Sequence, residues 1–131
     1  KDQIEHTKTE RYVLEQSKSP FLVSLEYAFQ TPDKIFMVMQ FARGGELFQH
    51  LRNAKRFEES RAKFYAAEIV LALDFLHSIK VIYRDLKPEN VLLDSEGHVC
   101  LTDFGIAKKL PEDGRTYSFV GTPDYLAPEI I

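Results

Sequence analysis

The sequence predicts an α+β fold, and three observations indicate it. The chain has 131 residues, about one domain's worth, and 44% of them are hydrophobic and 12% aromatic, which is enough apolar material for a sizeable core. Two pairs of short apolar runs, each joined by turn-forming residues, predict two antiparallel β-hairpins. Between the hairpins, from about Ser60 to Ser78, apolar residues recur at helical spacing.

The first third of the chain is predicted to form a helix and then a hairpin. Residues 1 to about 17 favour a helix in composition. From Val23 to Phe29 apolar and polar side chains alternate, which is typical of a half-buried strand. Residues 31–34 have turn chemistry, and Ile35 to Phe41 is an almost continuous apolar run, which indicates a strand buried on both faces.

Gly44 and Gly45 mark a change in composition, and we expect a boundary between two lobes there. A short helix is predicted to begin at Glu46, ahead of the long helix that ends near Ser78.

Beyond that helix the sequence predicts the second hairpin and then a loop. Val91 to Leu93 and Val99 to Leu101 are the strands of the hairpin, and residues 94–97 join them. Residues 108–121 are polar and contain Gly and Asp, so a long mobile loop is predicted.

Composition excludes several classes of protein. With 17 basic and 20 acidic residues the net charge is −3, which argues against nucleic acid or an anionic membrane as the main partner. The most apolar stretch is interrupted by Glu68 and Asp74, so no membrane segment is expected. A lone Cys100 closes no intrachain disulfide, which favours the cytoplasm or nucleus. Because the chain stops at Ile131 without a turn or tail, we expect it to be a piece of a longer protein.

Four polar residues around the second hairpin suit phosphoryl transfer: Asp85, Lys87, Asn90 and Asp103. Pairing of the two strands brings Asn90 and Asp103 to the same end of the hairpin, where their oxygens suit Mg²⁺. Asp85 could accept a proton from an attacking hydroxyl, and Lys87 could neutralise charge on the moving phosphoryl group. Taken singly, each of these residues is more typical of an ordinary loop than of a catalytic site, and only the four together at this spacing favour the catalytic interpretation.

Three motifs carry a family resemblance. Residues 83–90 (YRDLKPEN), residues 103–105 (DFG) and residues 127–129 (APE) resemble the catalytic loop, the magnesium loop and the end of the activation segment of a eukaryotic protein kinase. Lys87 resembles the residue that serine/threonine kinases carry at this position of the motif. Tyr83, together with residues 64–68 and 121–129, resembles the AGC group, which includes the cyclic-AMP-dependent kinase and the Akt, SGK and ribosomal S6 kinase families.

The resemblance implies a partial two-lobed protein-kinase fold of the α+β class. Residues 1–43 would be a partial N-lobe, with the regulatory helix, two strands and the hinge, and residues 44–131 a partial C-lobe. The resemblance also implies transfer of the γ-phosphate of ATP to Ser or Thr in proteins, with ATP and Mg²⁺ as cofactors. In these terms Asp85 is the catalytic base, Lys87 steadies the transferred phosphate, and Asn90 and Asp103 hold the metal.

For the nucleotide, the resemblance assigns six positions. Glu10 would pair with an ATP-positioning lysine, although a solvated helix charge is the plain alternative. The adenine site would be formed by the gatekeeper Met39, the hinge residues Gln40 and Ala42, and the floor residue Leu92. Glu46 would meet the ribose.

For substrate and regulation, the resemblance assigns two further groups of residues. Glu46 and Glu89 would bind arginines that precede the acceptor Ser or Thr, although both could be plain surface acids. Ser118 would be phosphorylated by an upstream activating kinase, and His6, Arg84 and Lys108 would contact that phosphate.

Two alternatives to a kinase stay open. The first is a pseudokinase or scaffold that retains the fold as an interaction module. The second is an unrelated nucleotide-binding enzyme, which no Walker-type loop in the sequence supports.

The chain by itself is expected to be inactive. The 131 residues contain neither a glycine-rich loop nor a Val-Ala-x-Lys strand. The helices that follow a kinase activation segment are also expected to lie outside these residues.

Overall fold

A computed structural model describes residues 2–16, 18–111, 114, 116 and 120–130, with side chains described from Thr7 onward. It contains three helices and seven short strands, joined by loops and three 3-10 turns. The helices are α1 (Asp2–Gln16), α2 (Leu47–Ala54) and α3 (Glu59–Ser78). The strands are β1 (Leu25–Gln30), β2 (Ile35–Met39), β3 (Gly45–Glu46), β4 (Val81–Ile82), β5 (Val91–Leu93), β6 (Val99–Leu101) and β7 (Lys108–Lys109). The 3-10 turns are Pro88–Asn90, Pro123–Tyr125 and Pro128–Ile130.

The predicted mixture of helices and hairpins is confirmed. β1 and β2 form an antiparallel pair whose register runs from Gln30 opposite Ile35 to Leu25 opposite Met39. The turn between them closes through a 2.8 Å hydrogen bond from the Thr31 amide to the Lys34 carbonyl. β5 and β6 form the second hairpin, and β3 adds to the outer edge of β5.

The predicted burial of the first hairpin is wrong. Apart from half-buried Leu25 and Met37, the residues of β1 and β2 are exposed. Among the described residues these strands pair only with each other, and the exposure of their side chains shows that most of either face is not covered by another layer. Stacking of Phe29 on Phe36, with ring centroids 4.9 Å apart, covers part of one face. An apolar run predicts a strand, but it does not establish that a partner covers the strand.

α3 is the long helix that the sequence predicted. Its inward face is formed by Tyr65, Glu68, Ala72 and Leu76, spaced three or four residues apart as helical geometry requires. The helix ends at Ser78, and Lys80, just beyond it, has a φ of 60° and donates its amide to the His77 carbonyl. A left-handed residue after the last turn is a common way to stop a helix.

One apolar core runs across the expected lobe boundary at Gly44. Residues just after α1 join the edge of β6, because the Val23 amide donates to the Leu101 carbonyl and the Leu101 amide donates to the Phe21 carbonyl. The largest fully buried side chains are Phe104, Leu22, Leu76, Leu101, Val13, Val81, Val91 and Val99. Burial of each large aliphatic side chain contributes about 1.5 to 3 kcal/mol.

The segment predicted as a loop from Lys108 begins instead as a strand. β7 pairs with β4, with Lys109 opposite Val81 and Lys108 opposite Ile82. Strands of two residues, separated by a hairpin, carry no periodic pattern that sequence reasoning could detect. Within the described part of the chain, no helix is long and apolar enough to span a membrane.

Candidate active site

The 83–90 loop, between β4 and β5, brings three of the four predicted chemical residues into direct contact. Asp85 is 9% exposed, and its Oδ2 lies 2.8 Å from the Lys87 ammonium and 2.9 Å from the Asn90 side-chain amide. The Asn90 amide also donates to the Asp85 backbone carbonyl, at 3.0 Å. The loop is thus folded around the Asp85 carboxylate.

Thr122, for which the sequence predicts no role, completes this arrangement. Its hydroxyl donates to Oδ1 of Asp85 at 2.7 Å and accepts from the Lys87 ammonium at 3.0 Å. Residues 121–129 belong to the family resemblance, but a contact between residues 37 positions apart leaves no local signal in the sequence. Thr122 therefore joins Asp85, Lys87 and Asn90 in a cluster that we call the Asp85 cluster.

Gly121 allows Thr122 to reach the loop. Its φ is 131°, and a Cβ at this position would lie 2.9 Å from the Arg84 carbonyl and 2.7 Å from Leu126. Both the backbone angle and the close approach favour glycine.

Asp85 is held in its ionised form. Burial raises the pKa of Asp85, but hydrogen bonds from Lys87, Thr122 and Asn90 outweigh burial and bring the pKa below its ordinary value. The hydrogen bond to Asp85 raises the pKa of Lys87. A charged carboxylate that accepts hydrogen bonds on both oxygens is suited to orient a hydroxyl near neutral pH.

Asn90 and Asp103 lie at the same end of the second hairpin, as predicted. The Thr102 amide donates to the Asn90 carbonyl at 3.0 Å, which places Asp103 one residue beyond this contact. Asp103 is exposed, has a φ of 57°, and accepts the Gly105 amide at 3.1 Å through Oδ1. Left-handed backbone at a non-glycine residue is found more often at functional sites.

The donor set at this end of the hairpin fits a magnesium ion. Asn90 turns its amide nitrogen toward Asp85, so its oxygen is the end that can face a cation. An exposed carboxylate and an amide oxygen are hard ligands, and the described residues contain no cluster of three His, Cys, Asp or Glu that would hold a metal alone. Mg²⁺ sites of this kind rely on waters and substrate phosphates for the remaining ligands.

Tyr83 and Phe104 support the two ends of the site. Their rings meet edge to face with centroids 5.7 Å apart, and the Tyr83 hydroxyl donates to the Thr102 carbonyl. Burial, together with the charges of Asp103 and Asp85, raises the pKa of Tyr83 well above its ordinary value. Tyr83 is therefore a neutral hydrogen-bond donor that ties the 83–90 loop to the strand before Asp103.

The residues predicted to contact an activation-loop phosphate are only partly described. Arg84, with a φ of 68°, donates through Nε to the Ile106 carbonyl at 2.8 Å, and its Nη1 is buried without a partner among the described residues. Lys108 donates to the Thr116 hydroxyl at 3.0 Å. Ser118 and the side chain of His6 lie outside the described residues.

The predicted adenine and ribose residues line the connection from β2 to β3 and β5. The Gln40 amide donates to the Ser24 carbonyl at 2.9 Å, Ala42 is buried and Met39 is 40% exposed. Glu46 is exposed and pairs through its backbone with Leu92.

Gly44 sets the spacing of this connection. Its amide donates to the Leu93 carbonyl at 2.7 Å, and a Cβ here would lie 2.5 Å from the Asp94 carbonyl.

The two remaining predicted carboxylates differ in environment. Burial and the negative charge of Asp103 raise the pKa of Glu10 on α1. Glu89 is half-buried in the 3-10 turn of the 83–90 loop, and its Oε2 has no partner among the described residues. A buried acceptor of this kind is available for a cationic group.

A cavity of about 660 Å³ adjoins the Asp85 cluster. Arg84, Asp85 and Thr122 contribute its polar wall, and Leu126 and Ala127 contribute to its apolar wall. The cavity is open, so a segment of another polypeptide could reach Asp85.

Comparison with known proteins agrees with this geometry. The profile of the protein kinase domain family matches residues 1–131. The chain is 58% identical to "Protein kinase 2" of Dictyostelium discoideum over 129 residues, which are 98% of this chain and 27% of that protein. It is 55% identical to "RAC-beta serine/threonine-protein kinase A" of Xenopus laevis and 54% identical to "Serine/threonine-protein kinase Sgk1" of Danio rerio, over 100% of this chain and 27% and 31% of those proteins. The chain thus spans about a quarter to a third of these relatives, and it belongs to the protein kinase family and, within it, to the AGC group of serine/threonine kinases.

Proposed function

We propose that the protein containing this chain transfers the γ-phosphate of ATP to Ser or Thr hydroxyls of other proteins. The observation that carries this proposal is the Asp85 cluster: an ionised, nine-tenths buried carboxylate held by an ammonium, an amide and a hydroxyl, beside an open cavity. The relatives named as serine/threonine kinases support the same class of reaction.

The chemistry required of the cluster is positioning and charge stabilisation. Oδ2 of Asp85 accepts two hydrogen bonds and Oδ1 accepts one, from Thr122. Oδ1 therefore has a lone pair with which to orient the substrate hydroxyl and receive its proton. Lys87 lies within hydrogen-bond reach of both Asp85 and Thr122 and supplies positive charge where the phosphoryl group passes.

Bound Mg²⁺ would neutralise the ATP phosphates, and Asn90 and Asp103 are the residues suited to hold it. In this proposal the nucleotide base lies against Met39, Gln40, Ala42 and Leu92, and Glu46 meets the ribose. This placement of the nucleotide is supported by the family resemblance and by the backbone pairing of Glu46 with Leu92.

Substrates with arginine before the acceptor are the proposed specificity. Glu89 supports this, because its half-buried carboxylate has an oxygen without a partner among the described residues. A guanidinium can bind such a carboxylate through two parallel hydrogen bonds.

Activation by phosphorylation at Ser118, by an upstream kinase, is also proposed. A phosphate adds about −1.5 to −2 charges and would attract Arg84, whose Nη1 is buried without a described partner. If Ser118→Ala lowers the activity of the fully phosphorylated protein while Ser118→Thr keeps it, the proposal holds. Equal activity of all three proteins would place the switch elsewhere.

The test of the reaction uses the complete product of the gene, incubated with γ-labelled ATP, Mg²⁺ and a peptide with arginine before a serine. We expect label in phosphoserine, and none after Mg²⁺ is chelated. A protein that folds and binds the peptide but transfers no phosphate would favour the pseudokinase or scaffold alternative, which the filled Asp85, Lys87, Asn90 and Asp103 positions do not favour.

A further inference from the structure

A cation–π contact joins α1 to β7. The Lys109 ammonium lies 4.3 Å from the centroid of the Tyr12 ring, well inside the distance of about 6 Å within which a ring face attracts a cation. Tyr12 is half-buried and packs against the core, whereas Lys109 is exposed. The ring is therefore a fixed surface on α1, and the lysine reaches it from the other element.

Both partners stand close to residues of the proposed active site. Tyr12 lies on α1 two residues after Glu10, and Lys109 lies six residues after Asp103. The backbone of Lys109 pairs with Val81 in β4, just before the 83–90 loop. A force between Tyr12 and Lys109 therefore acts between the helix that carries Glu10 and a strand anchored beside the catalytic loop.

Few side chains of α1 are buried. From Thr7 to Gln16, only Val13 and Leu14 are buried. A helix held by so few buried apolar side chains is sensitive to a single added attraction.

We propose that Tyr12 and Lys109 are a positioning pair, which holds α1, and with it Glu10, against the segment that follows Asp103. The consequence for phosphoryl transfer rests on the proposed kinase function. The effect of the contact on the position of α1 does not depend on that function, and it can be tested separately.

The first test follows amide hydrogen exchange of α1 in the complete gene product, which needs no activity. We expect Tyr12→Leu and Lys109→Met each to speed exchange about two- to fivefold, the range of an exposed cation–π contact. The double variant should be no faster than either single variant. Tyr12→Phe and Lys109→Arg keep a ring face and a cation, so they should restore wild-type exchange. Lys18→Met removes another exposed lysine and is the matched control.

The second test measures turnover of the same proteins. We expect kcat to fall about two- to fivefold in Tyr12→Leu and Lys109→Met, KM for the peptide to be unchanged, and the two conservative variants to restore kcat. Additive effects of the single variants on exchange, or an equal effect of Lys18→Met, would overturn the positioning pair. If the wild-type protein transfers no phosphate while the exchange coupling is present, the proposed function fails and the pair stands.

Discussion

At the scale of single residues, the proposed chemistry depends on how one carboxylate is surrounded. Asp85 would be costly to bury as an unpaired charge, and it is stable there because three donors share its two oxygens. Lys87 and Asn90 come from the same loop, so the YRDLKPEN motif carries enough information to predict them. Thr122 comes from 37 positions away, and its role depends on a chain path that Gly121 permits.

Thr122 offers the first prediction at this scale. Thr122→Val keeps the shape of the side chain but removes the hydroxyl that donates to Oδ1 of Asp85 and accepts from Lys87. Loss of a hydrogen bond to a charged group should lower kcat about tenfold. Because that bond lowers the pKa of Asp85, its removal should shift the acidic limb of the kcat profile to higher pH. Thr122→Ser is the matched control, and unchanged kcat and pH profile in Thr122→Val would contradict the assignment.

At the scale of elements, a polar contact joins α3 to the β5–β6 hairpin. Glu68 is buried on α3, with Oε1 lying 2.6 Å from Nδ1 of His98 and Oε2 accepting the Val99 amide at 2.8 Å. The hydrogen bond to Glu68 raises the pKa of His98, and the nearby Asp94 and Glu96 charges act in the same direction. Burial of a carboxylate on the helix thus fixes where the hairpin lies.

This contact predicts how stability depends on pH. Since the pKa of His98 is raised in the folded state, its stabilisation is complete below the ordinary histidine pKa of about 6.5 and is lost as pH rises through the higher folded value. We expect Tm of the complete protein to drop more in His98→Gln than in His77→Gln at pH 6, with the difference shrinking by pH 9. Equal effects of the two substitutions at both pH values would contradict the prediction.

The sequence predicts those features of these elements that depend on residues close together along the chain. The period of α3 and the turns of both hairpins are local patterns, so both were predicted. The pairing of β4 with β7 and the exposure of β1 and β2 depend on which distant segments meet, and no pattern within either strand carries that information.

At the scale of the whole molecule, apolar side chains remain exposed on the described surface. They lie mainly on or just after the first hairpin and along α3, and these are Tyr27, Phe29, Ile35, Phe36, Val38, Met39, Phe41, Phe64, Val70 and Leu71. Exposed apolar residues gathered on particular elements are typical of faces that pack against other structure.

We therefore expect the isolated 131 residues to associate and to transfer phosphate at a negligible rate. Loss of one preorganised contact in a transition state commonly costs a factor of about 10² to 10³, and this chain contains neither the glycine-rich loop nor the Val-Ala-x-Lys strand. Sedimentation and single-turnover assays on the purified chain test this expectation. A monomer with robust turnover would contradict it.

The proposed role of Glu89 in selecting substrates is also tested on the complete protein. We expect Glu89→Gln to lower kcat/KM about tenfold for peptides with arginine before the acceptor, because the amide loses the charge that a guanidinium meets. Peptides without arginine should be unaffected. An equal loss for both kinds of peptide would mean that Glu89 supports the 83–90 loop and does not select the substrate.

The role of Asp85 is tested by single-turnover phosphate transfer by the complete protein carrying Asp85→Asn. This substitution keeps the size of the side chain but removes the charge around which Lys87, Asn90 and Thr122 are arranged. We predict that transfer to a serine peptide slows about 10²- to 10⁴-fold, while the affinity for Mg-ATP, measured separately, stays within about twofold of wild type. Transfer at the wild-type rate by the Asp85→Asn protein would show that the Asp85 cluster is not the active site.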